Sequence, residues 1–313
     1  MKRPPSPDSV IPPSPPDTGR PTLALALGSG GARGLAHIPM LEVLDELGIR
    51  PSVVAGSSMG AIVGAAHCAG IPAKDLRKHT YEMLRERPKA MARLIEARVG
   101  RFVDVFSGLG NPLLVDAERI LGTFWPAGIP ETFAELQTPL IVVATDYFGR
   151  SESILDDGPL RPAVAASMAI PGLIKPVTVD GRVLIDGGAM NPLPFDHLIG
   201  RADVLLAIDV AGGMSPDMAR SPGGLEITLG TIQIMQEAIV NAKLKIYRPQ
   251  IVLRPSVGRF RALDFFEAKA IFRAADALKD DLKRELARHF EGVATSGREV
   301  SVQGAVDAGR LDG

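Results

Sequence analysis

Two stretches near the start of the chain decide its architecture: Thr22-Leu-Ala-Leu-Ala-Leu-Gly28-Ser-Gly-Gly-Ala-Arg-Gly34, and Ser52-Val-Val-Ala-Gly56-Ser-Ser-Met-Gly60. Each is a short apolar run stopped by glycine, as a buried strand requires, and each is followed by apolar residues at helical spacing. Leu35 to Leu47 forms the first such helix, with Gly48 as its stop, and Ala61 to Ala69 the second. Strand, turn, helix twice over implies a parallel sheet covered by helices. Further strands are expected at Pro139–Thr145, Ser151–Leu155, Val177–Val179, Arg182–Ile185, Ala202–Val210 and Gln250–Leu253. The pair around Asp180-Gly181 reads as a hairpin, so the sheet should be mixed.

The pattern fades outward from this centre. Residues 1–21 are crowded with proline and serine and cannot bury enough apolar area to offset their ordering entropy, so they read as a disordered tail. Residues 73–135 carry mainly helical signals and form a cap-like region. From Lys74 to Arg101 this region holds nine basic and four acidic residues, a pattern of either a solvated helix face or an anionic-membrane contact. Leu225 to Tyr247 has apolar residues at near-helical spacing, which suits a core helix or a homodimer or lipid contact. Asp264 to Phe290 reads as one amphipathic helix, and residues 291–313 as a flexible tail. One ordered domain, residues 22–290, is therefore expected.

Composition narrows the function. The 313 residues are 46% hydrophobic and 23% charged, with 35 basic against 36 acidic side chains. A formal charge of −1 argues against a phosphate-tracking surface, and nucleic acid is not expected as a partner. Cys68 is the only cysteine, so neither a disulfide nor a cysteine metal site can form, and a reducing cytoplasm fits. Proline follows the basic start where a secretory signal would be apolar. No run of 18 apolar residues exists, so any membrane contact would be peripheral.

Gly56-Ser57-Ser58-Met59-Gly60 matches G-x-S-x-G in the strand-to-helix context that motif needs. A nucleophile on that turn is thrust out of the sheet, while Gly56 and Gly60 permit the tight backbone. The loop Gly28 to Gly34 offers successive amides to an anion, and its spacing fits neither a dinucleotide fold nor a Walker loop, which leaves an oxyanion hole. Arg33 would hold this loop or meet a phosphate headgroup. Asp186, at the end of the Arg182–Ile185 strand and before Gly187-Gly188, is the candidate general base, though Asp-Gly pairs also end strands without catalysing anything. Of five histidines, His197 is the rival base, since it follows the acid in α/β-hydrolase chain order.

In motif order the chain resembles the patatin-like phospholipases, in particular compact bacterial members related to the catalytic domain of neuropathy target esterase. The resemblance covers roughly residues 22–280 and includes Ala166-Ser-Met-Ala-Ile-Pro171 and Asn191-Pro-Leu-Pro194. It implies a three-layer α/β fold with a mixed central sheet between helices. It also implies a Ser-Asp dyad, with Ser58 as nucleophile and Asp186 as proton acceptor. The oxyanion hole then falls on Gly30, Gly31, Ala32 and Arg33. One departure is Pro39, where such proteins usually carry glycine; it marks a kink or a first turn. The implied activity is hydrolysis of a lipid ester through an acyl-enzyme, with no cofactor and no metal, so EDTA should leave turnover intact. A catalytically silent lipid-binding or regulatory protein and a lipid acyltransferase are the alternatives.

Overall fold

The computed structural model describes residues 21–86, 115–212 and 223–308. Residues 1–20, residues 87–114 of the expected helical cap, and residues 213–222 and 309–313 lie outside the described residues. Strands β1 (Leu23–Leu27), β2 (Val53–Ser57), β3 (Leu140–Asp146), β4 (Ser151–Leu155), β5 (Val177–Val179), β6 (Arg182–Asp186), β7 (Val204–Ile208) and β8 (Ile251–Leu253) build one sheet. Its order is β5-β6-β3-β2-β1-β7-β8, with β4 beside β3. The pairs β1–β2, β2–β3, β1–β7 and β7–β8 are parallel, while β3–β4, β3–β6 and β5–β6 are antiparallel.

The sequence of β1 shows why the sheet is covered on both faces. Leu23, Leu25 and Leu27 join the larger core cluster, and Ala24 and Ala26 the smaller one on the opposite face. Alternation places large side chains against one helical layer and small ones against the other. Each fully buried leucine contributes roughly 1.5–3 kcal/mol. The larger layer holds α1 (His37–Leu47), α2 (Met59–Cys68) and α3 (Ala73–Glu86), with α4 (Ala117–Phe124) and α5 (Leu160–Ser167) beside them. The smaller layer holds the 3-10 turn Phe195–Leu198 and α6 (Gly224–Ile246), whose Val240 is buried there. The architecture is thus helices, mixed sheet, helices.

Local turn chemistry follows the sequence closely. Gly48 closes α1 at φ 63°, and Asp180 and Gly181 take φ 48° and 75° between β5 and β6, as a two-residue hairpin turn needs. Gly60 is required by packing, since a Cβ there would stand 2.1 Å from the Leu27 carbonyl oxygen. That contact lets α2 lie directly on β1.

Two expected helices need correction. Leu35 to Leu47 is not one helix: a 3-10 segment, Gly31–Ala36, precedes α1. Pro39 therefore falls in the first turn of α1, where its missing N–H costs little. Asp264 to Phe290 is not one helix either, but a 3-10 turn followed by α7 (Ala268–Asp276) and α8 (Lys279–Ala308). Neither glycine nor proline marks the break. It is fixed by tertiary ion pairs: Arg77 on α3 binds Glu42 of α1 and Asp276 at the end of α7, both at 2.7 Å, and Lys279 also reaches Glu42. Helix α8 continues to Ala308, past the residue 290 boundary.

Helix α6 matches the helical spacing read over Leu225 to Tyr247. Its inward positions include Gln233 and Gln236, while Ile227 and Ile234 stand outside. No helix among the described residues is long and apolar enough to cross a membrane.

Candidate active site

The register of β3 brings the site together. Strand β2 pairs with residues 140–143 of β3 in parallel, β6 with residues 144–146 antiparallel, and β4 with residues 142–146. Because β4 overlaps both partners, β2 and β6 must share the other edge of β3, lying end to end and running toward each other. Ser57 pairs with Val143, and Asp186 with Ala144. The next residue after β2 and the last of β6 therefore meet.

At that meeting point Ser58 Oγ donates to Asp186 Oδ2 at 2.7 Å. Both residues are buried, Ser58 being 5% and Asp186 6% exposed. Ser58 sits at φ 54°, ψ −119°, outside the regions open to residues with a Cβ, a strain of order 1–3 kcal/mol that the surroundings must impose. They do so through hydrogen bonds. The Ser58 N–H donates to Ser167 Oγ at 2.8 Å, the Ser167 hydroxyl donates to the Val143 carbonyl at 2.6 Å, and Ala61 and Ile62 N–H close on the Ser58 carbonyl.

Ser167 was missed in the sequence reading; its segment stood out, but nothing local says that its hydroxyl spans two distant strands. Ser167→Ala leaves a buried N–H without an acceptor, which costs about 1–3 kcal/mol. The expected result is a melting temperature lower by several degrees and a rate of fluorophosphonate labelling at Ser58 reduced about tenfold. Unchanged melting and labelling would remove Ser167 from the positioning machinery.

Asp186 is clamped in turn. Its N–H donates to Ala169 O, its carbonyl accepts from Thr145 Oγ1, and its Oδ1 accepts from Gly188 N–H at 2.7 Å. Burial pushes its carboxyl up to about 6, against the opposing hydrogen bonds from Ser58 and Gly188. That placement lets it exist as carboxylate at neutral pH and still accept a proton.

The glycine loop divides its donors. The N–H groups of Gly28, Ser29, Ala32 and Arg33 bond to Ile208, Pro192, Ala262 and Gly30 carbonyls. Ala32 and Arg33, expected to take part in the oxyanion hole, thus have their amides committed within the loop and its neighbours. Gly30 and Gly31 N–H groups take no backbone acceptor among the described residues. Gly31 has φ 57°, and a Cβ on it would meet the Ala262 oxygen at 2.2 Å, so only glycine gives this loop its shape.

Arg33 is fully buried; its Nε and Nη1 donate to the Gly30 and Ala211 carbonyls. Burial lowers it to about 10, offset by Asp209 and Glu237. These contacts match the loop-holding alternative. His37 Nε2 lies 2.8 Å from the Gly28 carbonyl, and burial lowers its ring to about 4, so Nε2 carries the proton of a neutral ring.

His197 lies elsewhere. Its Nε2 is 2.7 Å from Glu152 Oε2, and Lys243 spans Glu152 and Asp196 at 3.1 and 2.8 Å. Burial would raise the Glu152 carboxyl, but hydrogen bonds from His197 and Asn191 bring it down to about 2. Glu152, Asp196 and His197 have the spacing of metal ligands, but the Lys243 ammonium already bridges the two carboxylates. Among the described residues, no histidine lines the pocket above Ser58. Cys68 is buried and its thiol is pushed up by desolvation, which removes it as a nucleophile.

This pocket, about 120 Å³, is bounded by the glycine loop, Ser58, Asp186, Ile170 and α6. An acid–hydroxyl pair, free amides beside it and an apolar wall are the parts of an acyl-transfer site.

Comparison with known proteins adds to this geometry. An uncharacterised NTE family protein of Mycobacterium tuberculosis is 40% identical over 193 residues, 61% of this chain and 50% of that protein. The rat patatin-like phospholipase domain-containing protein 7 is 32% identical over 274 residues, 78% of this chain and 19% of that protein. The chain thus spans half the length of the mycobacterial relative and less of the rat one. Among solved structures, VipD from Legionella pneumophila is similar with a TM-score of 0.45 at 13% identity, over 84% of this chain and 66% of that one. The model of the family described as patatin-like phospholipase matches residues 25–199. That match takes in both glycine motifs and Asp186 over more than half of the 313 residues, and the chain belongs to the patatin-like phospholipase family.

Proposed function

We propose that the protein hydrolyses lipid esters through a Ser58–Asp186 dyad. The observation that carries this reading is the 2.7 Å hydrogen bond from Ser58 Oγ to Asp186 Oδ2 at the strand-to-helix turn. Ser58 Oγ attacks the ester carbonyl as its proton passes to Asp186. The oxyanion is met by the Gly30 and Gly31 N–H groups and by the N-terminal end of α2. Collapse expels the alcohol, which takes the proton from Asp186, and leaves a fatty acyl ester on Ser58. Asp186 then takes a proton from a water that attacks this ester, and returns it to Ser58 Oγ as the acyl–oxygen bond breaks and the fatty acid leaves.

The substrate class is supported by the family and by an apolar surface near the pocket. Ile227 and Ile234 stand exposed on the helix that covers it, and Met235 is exposed where that helix lines the pocket, a suitable contact for a lipid surface holding the substrate.

Treating the protein with a fluorophosphonate and mapping the adduct by mass spectrometry tests the nucleophile. One adduct, on Ser58, is expected, together with turnover of p-nitrophenyl acyl esters. An adduct elsewhere, or folded protein that neither labels nor turns over, rejects the reading. The pH profile supplies a separate check. Because Asp186 must be ionised to accept the proton, kcat/KM should rise through a midpoint near 6, the value given by its burial. A midpoint near 4, the range of an exposed carboxylate, would assign the base to another group.

A further inference from the structure

Helix α6 presents its polarity the wrong way round for a core helix. Leu229, Gln233, Gln236 and Val240 follow the i, i+4, i+7, i+11 spacing of one inward stripe, and its middle is amide instead of aliphatic. Gln233 and Gln236 are each only 8% exposed, whereas Ile234 and Met235 beside them are 63% and 57% exposed. Both glutamines line the pocket above Ser58, and neither side chain takes part in a hydrogen bond among the described residues. Their amide atoms are not sealed in the core but open onto the pocket, so two carboxamides on one stripe present donors and acceptors that a ligand there can answer.

Their position says which part of a substrate that is. A Cβ on Gly188 would stand 2.3 Å from Gln236 Nε2 and 2.9 Å from both Asp186 Oδ1 and Ser29 Oγ. The Gln236 amide therefore leans over the residue whose N–H holds Asp186. Ser29 Oγ, in the same place, is buried and also unpartnered. In the mechanism above, Asp186 returns its proton to the departing alcohol, so groups gathered beside Asp186 face the alcohol half of the ester. A carboxamide offers two donors and an acceptor, and a hydroxyl can serve both as donor and as acceptor. An alkyl chain answers neither.

We propose that Gln233 and Gln236 form a polar subsite, with Ser29 beside them, that binds free hydroxyl groups on the alcohol half of the ester and so selects esters of polyols over esters of simple alkanols. The assignment rests on the hydrolase reading.

Glyceryl monobutyrate and propyl butyrate share acyl chain and carbon skeleton and differ by two hydroxyls, so the ratio of their kcat/KM values isolates the subsite. Wild type is expected to favour the glyceryl ester at least tenfold. The volume-conserving variants Gln233→Met and Gln236→Met should each lower that ratio severalfold, and the double variant about tenfold or more. Fluorophosphonate labelling of each variant counts the folded sites. A wild-type ratio near one, a ratio unchanged in the double variant, or equal loss on both esters overturns the subsite. Wild type that hydrolyses neither ester defeats the hydrolase reading, and the subsite with it.

Discussion

Ser58→Ala should lower ester hydrolysis by about 10⁴-fold or more, because the covalent route is lost outright and only the oxyanion donors and substrate binding remain. The fold should survive. Alanine keeps the Cβ and the strained backbone, and the Ser58 N–H still reaches Ser167 Oγ. What disappears is the hydroxyl that donates to Asp186 Oδ2, a charge-assisted bond worth about 1.5–3 kcal/mol. Asp186 responds by holding its proton more tightly, since one of the two hydrogen bonds opposing its desolvation has gone. Kinetics on a p-nitrophenyl ester with a parallel thermal melt separates the two effects. Residual activity above about 1% in folded protein would mean that Ser58 is not the nucleophile.

Asp186→Asn should remove activity and add stability. Without a proton acceptor the attack slows by about 10²–10⁴-fold. The stability gain follows from linkage. Burial raises the folded-state carboxyl from 3.8 to about 6, so between those values the native state binds more protons than the unfolded chain. Stability contributed by the protonated acid is fully present below pH 4 and is lost as pH rises through 6. A shift of roughly two units corresponds to an energy on the order of 3 kcal/mol at pH 7 and above. Asparagine avoids that cost and can still accept from the Gly188 N–H. The variant should therefore be the more stable protein at pH 8, by about 1–3 kcal/mol, and lose most of that advantage at pH 4. Denaturant unfolding at both pH values checks the sign; a variant less stable than wild type at pH 8 would show that Asp186 is not held in an unfavourable charged state.

The parts of this site that a sequence displays are those set by local backbone chemistry. The Gly56–Gly60 turn, the loop from Gly28 and the Asp180-Gly181 hairpin all demand particular residues within a few positions, and each demand is legible. Strands β1 and β2 were equally readable because a strand buried on both faces is apolar throughout. Asp186 stood out only as an acid at a strand end; its hydrogen bond to Ser58 depends on both strands sharing β3. Ala32 and Arg33 show the reverse difficulty. Their amides look available in a glycine-rich loop, yet the Ala262 carbonyl, 230 residues away from Ala32 in the chain, claims one of them. Gln233 and Gln236 do not stand out in the sequence, because the apolar spacing over Leu225 to Tyr247 does not say which face of α6 lines the pocket. Position along a helix says which residues share a face, and only packing says which face is inward.

The head-on arrangement of β2 and β6 along one edge of β3 also bears on how the protein comes into being. Ser58 and Asp186 are 128 residues apart in the chain, and the pairing that unites them is slow to find because a long loop must close before any contact repays it. Early helices and the parallel strands from β1 to β2 can condense while the acid is still elsewhere. On the proposed dyad, hydrolytic competence is a property of the completed sheet, reached only once β6 has docked end to end with β2 on β3.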